Sequence, residues 1–261
     1  MVITSKDNET VKMLKKLRDK KYRDQENCYI IEGIKLIKEA ILENTEIKLV
    51  VICDDCKQDN EFDSELKYEI AKYECIYVNE KIFLSITNVV NPQGIMAVVE
   101  KKNNSDSIDF NDELILVLDD IQDPGNMGTI LRTADSLNLK QIIVSKGSAD
   151  VYNPKVVRST MGAIFRINII ESDDLVKTVK EIKKHKVKII TTSLQTDKSM
   201  YDVSYDKTAI VIGNEANGVS KEILDLADEK VKIPMLGKTE SLNASVATAV
   251  ILYEAMRNKL K

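Results

Sequence analysis

Histidine is almost absent: His185 is the only one in 261 residues. Ser-His-Asp and Cys-His catalysis, and metal sites built on imidazole, all need that side chain in a structured position. His185 instead sits in KEIKKHK, a polar helical stretch, and reads as a solvated surface residue. An enzyme made from this chain works by positioning, or through groups other than histidine. Long apolar runs are missing too. Leu49–Cys53 and Leu114–Leu118 are the longest kind present and are strand-sized, well short of the roughly 18 residues of a membrane helix. The opening MVITSKDNETVK lacks the apolar core of a signal peptide. The expected setting is the cytoplasm, with no membrane.

Cysteine is too sparse for a disulfide framework. Cys28, Cys53, Cys56 and Cys75 all lie in the first third of the chain. Cys53 and Cys56 form a Cys-x-x-Cys pair, but zinc needs two further ligands, and Cys28 and Cys75 do not make a second pair. Cys53 also ends an apolar strand-like run, where buried thiols are common. No metal is expected. Bulk positive charge is the last absence: a formal net charge of −4 argues against a protein that coats nucleic acid by general attraction. Local charge is another matter. From Lys12 to Arg23 the sequence KMLKKLRDKKYR carries seven basic residues and one acid. Val11, Leu14 and Leu17 supply an apolar stripe, so one reading is a helix with a solvated basic face. In an otherwise acidic chain, Lys12, Lys15, Lys16, Arg18, Lys20, Lys21 and Arg23 read as a phosphate-contacting, RNA-binding patch.

What is present is an alternation of strands and helices broken once. KKNNSDSIDFND, residues 101–112, is polar and lacks periodic hydrophobics, so it reads as a linker between residues 1–100 and 113–261. The first part predicts a basic helix, then strands and helices in alternation, a small α/β sandwich. The second part alternates more regularly, from strand ELILVLDDI to a long final helix from about Leu242. In that helix Leu242, Val246, Val250, Tyr253 and Leu260 keep to one face. Short apolar strands separated by helices predict a mostly parallel sheet covered on both sides. Ligands of such sheets bind beyond the carboxyl ends of the strands.

Three segments fall at those ends. LDDIQDPGNMGTILRTAD, residues 118–135, runs from a strand through a turn at Asp123-Pro124-Gly125-Asn126 into a helix carrying Arg132. A dinucleotide-binding reading is weak, because the glycines form PGNMG and not GxGxxG, and no acid follows at the end of a second strand. AIVIGNEANGVSKEI, residues 209–223, places Gly213 and Gly218 around Asn214 and Glu215, where backbone groups can face a ligand closely. VKIPMLGKTESLNASVATAVILYEA, residues 231–255, enters the last helix through Ser241-Leu242-Asn243 and continues with small residues that permit close approach. Each segment alone also fits a capped turn of no special function.

In order and spacing, these segments resemble the three signature motifs of the SpoU/TrmH class of SPOUT RNA methyltransferases, and the match spans the second domain. The first domain resembles the ribosomal-protein-like α/β RNA-binding extension of many members. The resemblance implies a C-terminal trefoil knot, a homodimer with the site beside its interface, and S-adenosyl-L-methionine as cofactor. It implies transfer of a methyl group to a ribose 2′-hydroxyl, with ribosomal RNA preferred over tRNA. A tRNA enzyme, or a non-catalytic RNA-binding protein on the same scaffold, are the alternatives. The motif residues fall on Asn126, Arg132, Glu215, Ser241 and Asn243. The cofactor loops fall on Thr192, Ser193 and Leu194, on Gly213, Asn214 and Glu215, on Ile233, Pro234 and Met235, and on Leu242, Asn243 and Ala244. Ala216-Asn217 departs from members with a glycine after the glutamate, and leaves Glu215 and Gly218 in place.

Overall fold

The apolar runs become strands of two sheets, one in each of two units. The computed structural model describes residues 2–55, 62–102 and 107–260. One unit comprises Met1–Asn103 with Asp150–Phe165, the other Asn104–Ala149 with Arg166–Lys261.

The first unit contains β1 (Val2–Ile3), α1 (Glu9–Lys16), α2 (Lys20–Glu26), β2 (Cys28–Glu32), α3 (Ile34–Leu42), β3 (Ile47–Cys53), α4 (Ser64–Ile70), β4 (Cys75–Val78), α5 (Glu80–Ile86) and β5 (Ile95–Glu100). Its sheet has the order β1-β4-β3-β5-β2, with β5 antiparallel to both β2 and β3 and the other pairs parallel. The basic run makes two helices and not the single one expected. Asp19 accepts the Lys21 amide at 3.0 Å and caps α2, so a second helix starts where the first would have continued. The strand β1 went unforeseen, since two residues carry no readable alternation. Cys28 and Cys75 are free thiols; Cys56 lies outside the described residues. No group of three or more potential metal ligands occurs among the described residues.

Residues 150–165 group with this unit, although the polar stretch at 101–112 predicted them as part of 113–261. The reason is local packing. The helix α7 (Pro154–Thr160) lies against β2, Tyr152 meets Tyr29 with ring centroids 4.8 Å apart, and Asp150 accepts from the Arg23 guanidinium.

The second unit contains β6 (Leu114–Asp119), α6 (Pro124–Ser136), β7 (Gln141–Ser145), β8 (Asn168–Ser172), α8 (Leu175–Lys184), β9 (Lys188–Thr192), β10 (Thr208–Gly213), α9 (Lys221–Leu224), β11 (Glu229–Val231) and α10 (Ala244–Met256). Its six strands run in the order β11-β9-β10-β6-β7-β8, and every registered pair is parallel. Val179 and Ile182 of α8 and Ile223 of α9 pack with Ile115, Val117, Ile143, Ile189 and Val211. α10 packs against α6 and β10. The mostly parallel sheet with flanking helices is therefore as the strand-helix alternation predicts.

The polar stretch before β6 is tied down at its end. The buried Gln141 side chain accepts the Asp109 amide at 3.0 Å and donates to the Asp109 carbonyl at 2.6 Å and to Asp112 at 2.7 Å. Phe110 stacks on His185 with centroids 3.7 Å apart, so the lone histidine is half-exposed and covered on one ring face. α10 also differs from expectation. It buries Ala244, Ser245, Thr248, Ile251 and Leu252, while Val246 and Tyr253 of the apolar stripe are 47 % and 49 % exposed. The small polar residues can face inward because their hydroxyls are satisfied locally. Thr248 donates to the Ala244 carbonyl and Ser245 to Asn243, both at 2.7 Å.

Candidate active site

β6, β9 and β10 end side by side, so the loops after them meet. After β6, Asp120 takes a left-handed backbone (φ 61), and the chain turns into α6. Asp123 caps that helix by accepting the Asn126 amide at 2.8 Å, and Pro124 occupies the first helical turn. After β10, Gly218 (φ 71) folds the chain back so that its amide donates to the Asn214 carbonyl at 2.9 Å. The side chain of Asn214 holds both loops. Its oxygen accepts the Ala216 and Asn217 amides at 2.9 and 3.0 Å, and its amide donates to the Asp120 carbonyl at 2.9 Å. Before α10, Asn243 caps the helix through the Ser245 amide at 2.9 Å.

One hydrogen-bonded chain joins the three motifs. Asn243 donates to the Asn126 side-chain oxygen at 2.9 Å, and Asn126 donates to Glu215 at 2.9 Å. Asn126 is 8 % exposed, so both its polar ends are matched as burial requires. Glu215 also accepts the amides of Gln122 and Asp123, each at 3.3 Å. Partial burial is the largest influence on its carboxyl and pushes its pKa up, but the hydrogen bonds from Asn126 and the two turn amides outweigh it and hold the pKa below the ordinary value. Glu215 is therefore an anion at neutral pH, and the three hydrogen bonds it accepts hold the turn that starts α6. Arg132 stands apart. It is exposed on α6, and no hydrogen bond or ion pair reaches it among the described residues.

A cavity of about 290 Å³ opens beside this chain. Thr192, Ser193, Leu194, Gly213, Asn214, Glu215, Ile233, Met235, Ser241, Leu242 and Ala244 line it. Of the residues named from sequence for the cofactor loops, Pro234 and Asn243 are not among the lining. Gly213 is there for a steric reason: a Cβ on it would lie 2.1 Å from the Gly218 carbonyl carbon and the Val219 amide nitrogen. Apart from Glu215 and Lys232, the lining is uncharged, which suits a ligand held through backbone groups.

The basic patch in the first unit divides in two. Lys15, Lys20 and Lys21 have no ion partner among the described residues, and Lys20 and Lys21 are exposed. Lys12 pairs with Glu9 at 2.8 Å, Lys16 lies 5.5 Å from the centre of the Tyr22 ring, and Arg18 donates to the Ser85 and Thr87 carbonyls at 3.0 and 2.8 Å. Arg23 does not belong to the patch. It is 2 % exposed, donates to the carbonyls of Leu17 and Arg18, and pairs with Asp150. The reading of Arg23 as an RNA contact is corrected accordingly, because a guanidinium closed off from solvent cannot meet phosphate. Arg23→Ala is expected to destabilise the protein by roughly 3 kcal/mol, since it leaves the Asp150 carboxylate, only 12 % exposed, without its cation. A urea denaturation midpoint within error of wild type would show the pair contributes nothing.

A model of the SpoU rRNA methylase family matches residues 113–253, more than half of the chain. The chain belongs to that family. A second model, an MRM3-like substrate binding domain, matches residues 8–97. A relative from Bacillus subtilis, the 23S rRNA (guanosine(2553)-2'-O)-methyltransferase RlmP, is 32 % identical over 252 residues, covering 96 % of this chain and 97 % of its own. The AdoMet-bound rRNA methyltransferase from Sinorhizobium meliloti superposes with a TM-score of 0.87 at 29 % identity, over 100 % of this chain and 99 % of that one. The SpoU methyltransferase AviRb from Streptomyces viridochromogenes, in complex with AdoMet, gives 0.85 at 26 % identity, over 97 % and 99 %. The family membership expected from the three motifs is borne out.

Several residues of this SpoU-family site carried no signal in the sequence. Ser145, the last residue of β7, and Ser148, in the turn after it, accept the amides of Asp120 and Ile121 at 2.8 and 3.1 Å, and so support the strained start of the first motif. Asp119 caps the far side by accepting the Ser220 amide at 2.8 Å. Gln195, Lys232 and Ala247 line the cavity. Serines in a turn are common, and only the fold brings these two under Asp120.

Proposed function

We propose that this chain transfers the methyl group of S-adenosyl-L-methionine to a ribose 2′-hydroxyl of ribosomal RNA in the cytoplasm. The observation that carries the reading is the chain Glu215–Asn126–Asn243 beside the cavity, supported by the rRNA 2'-O-methyltransferase among its relatives. The cavity fits the cofactor. Its volume is at the lower end of small-molecule sites, about 300 Å³, and its glycine-backed, mostly neutral wall suits an adenosine joined to a sulfonium. Thr192–Leu194, Gly213–Glu215, Ile233, Met235, Leu242 and Ala244 would hold it. When bound, the cofactor supplies an electrophilic methyl carbon on a good leaving group.

The residues of the chain do the rest. A ribose 2′-hydroxyl is a weak nucleophile, so orienting it is the main task. Arg132, without a partner among the described residues, holds the neighbouring phosphate and stabilises negative charge growing on the 2′-oxygen. A guanidinium donates hydrogen bonds and offers no acceptor, so Arg132 is not the base. Asn126 and Glu215 keep the start of α6 in place, and Ser241 faces the cavity as a hydroxyl able to contact either reactant. The return of the chain from β11 at the sheet edge to α10 beside α6 suits a trefoil knot. The exposed Val246 and Tyr253 stripe suits a homodimer interface, since an apolar helix face of this kind is covered in most proteins.

The test is to incubate the purified protein with methyl-labelled S-adenosylmethionine and RNA from cells that lack it. Label is expected in one 2′-O-methylated nucleotide of ribosomal RNA. Label only in tRNA would move the substrate, and cofactor uptake without any transfer would favour the non-catalytic alternative. Replacing Lys15, Lys20 and Lys21 together with glutamine should flatten the slope of log affinity against log salt, by about 0.7–0.9 for each phosphate no longer neutralised. An unchanged slope would leave those lysines as a solvated face.

A further inference from the structure

The loop between α5 and β5 in the first unit, Thr87–Gln93, is held by hydrogen bonds from four directions. Arg18 donates to the Ser85 and Thr87 carbonyls at 3.0 and 2.8 Å. Arg158 of α7 donates to the Asn88 carbonyl at 3.4 Å. The Thr87 hydroxyl donates to Glu32 at the end of β2 and accepts the Val89 amide at 3.0 Å. Gln93, at the loop's far end, accepts the Ile34 amide at 3.0 Å. At the tip of this braced loop Val90 is 92 % exposed, with Asn88 and Asn91 exposed on either side.

A single exposed valine needs no explanation by itself. The bracing does. Loops that carry no contact of their own are ordinarily left loose, and those held rigidly present something. Here the ties also set the charge around the tip. Both arginines use only part of their donor capacity on carbonyls, leaving two cations at the loop's flank. Arg18 stands in the chain between Lys15 and Lys16 on one side and Lys20 and Lys21 on the other, so its two bonds tie the loop to the segment that carries the basic patch. The acid of the cluster, Glu32, is largely withdrawn from solvent. Burial pushes its carboxyl up, with Thr87 and the Asn88 amide turned toward it.

We propose that this loop reads an unpaired nucleotide of the RNA substrate, with Val90 covering the face of the base and Arg18 and Arg158 meeting the flanking phosphates. The proposal rests on the reading of the chain as an RNA methyltransferase. An apolar tip between cations matches a single-stranded segment, whose splayed bases offer a flat face and whose backbone is anionic. Fully paired RNA offers the phosphates but hides the faces.

The experiment compares wild type and Val90→Ser by fluorescence anisotropy with two RNAs of equal length, a ribosomal RNA hairpin with an unpaired loop and a perfect duplex. Val90 touches little of the protein, so the variant is expected to keep its melting temperature. Affinity for the hairpin should fall about tenfold, as removal of a buried apolar surface implies, with the salt slope and the duplex affinity unchanged. Equal losses for both RNAs, or none for the hairpin, would overturn the proposal. So would a loss seen only with ribosomal particles and not with naked RNA, which would make a ribosomal protein the occupant. Wild-type protein that binds neither RNA would instead sink the methyltransferase reading, which separates the two failures.

Discussion

Arg132→Ala should lower methyl transfer by about 10²–10³-fold, the size seen when one preorganised group that stabilises developing charge is removed. Cofactor uptake should stay at the wild-type level, because Arg132 is not among the residues lining the cavity. The fold should also be indifferent: the side chain is exposed and bonded to nothing among the described residues. This combination is informative because the other motif residues are entangled. Asn126, Glu215 and Asn243 hold one another and two helix starts, so their removal would mix structural and chemical losses. Arg132→Lys should recover part of the rate, since it restores the charge but not the planar fork that matches a phosphate. Single-turnover transfer and a calorimetric cofactor titration on the same preparations check both halves. Near-wild-type turnover in the alanine variant would remove Arg132 from the chemistry.

Gly213→Ala is expected to be the more damaging change to the protein itself. The added methyl would sit 2.1 Å from the Gly218 carbonyl carbon and from the Val219 nitrogen, and 2.3 Å from the Gly218 oxygen. These are backbone atoms, so no side chain can swing aside. Either β10 or the loop carrying Glu215 must move, at a cost of about 4 kcal/mol or more, the range of severe steric lesions. If the loop yields and the protein survives, cofactor affinity should fall, because Gly213–Glu215 form part of the cavity wall. Gly218 provides the control. A Cβ there meets nothing within 4 Å, so Gly218→Ala costs only the strain of its left-handed backbone (φ 71), about 1–2 kcal/mol. Thermal melts of the two variants should therefore separate clearly. Equal melting temperatures would mean that the close approach at Gly213 is easily relieved.

The site was legible in the sequence to the extent that its parts are contiguous. Asp123 and Asn243 are helix caps, and a cap announces itself by residue type just before a helical pattern. Gly213 and Gly218 marked a loop where backbone comes close. Partnerships across the fold were not legible. Nothing in the spacing tells Glu215 to bond Asn126, 89 residues away, or places Ser145 under Asp120. The basic run shows the same limit. Arg23 and Lys21 look alike in a string of cations, yet one is sealed beneath Asp150 and the other faces solvent. Charge counts cannot distinguish them, because burial is decided by what packs against each.

Local chemistry made the mostly parallel sheet and the three loops at the strand ends legible, since each rests on short patterns of neighbouring residues. Tertiary structure alone decided which face of α10 turns inward. Hydropathy favoured the stripe of Val246, Val250 and Tyr253, but the face that carries Ala244, Ser245, Thr248, Ile251 and Leu252 is buried instead. The small residues let the helix lie close to α6 and β10, the Ser245 and Thr248 hydroxyls bond locally, and Ile251 and Leu252 supply apolar area on the same face. Close packing with satisfied polar groups chose between two faces that both carry apolar residues, and that choice is set between elements distant in the chain.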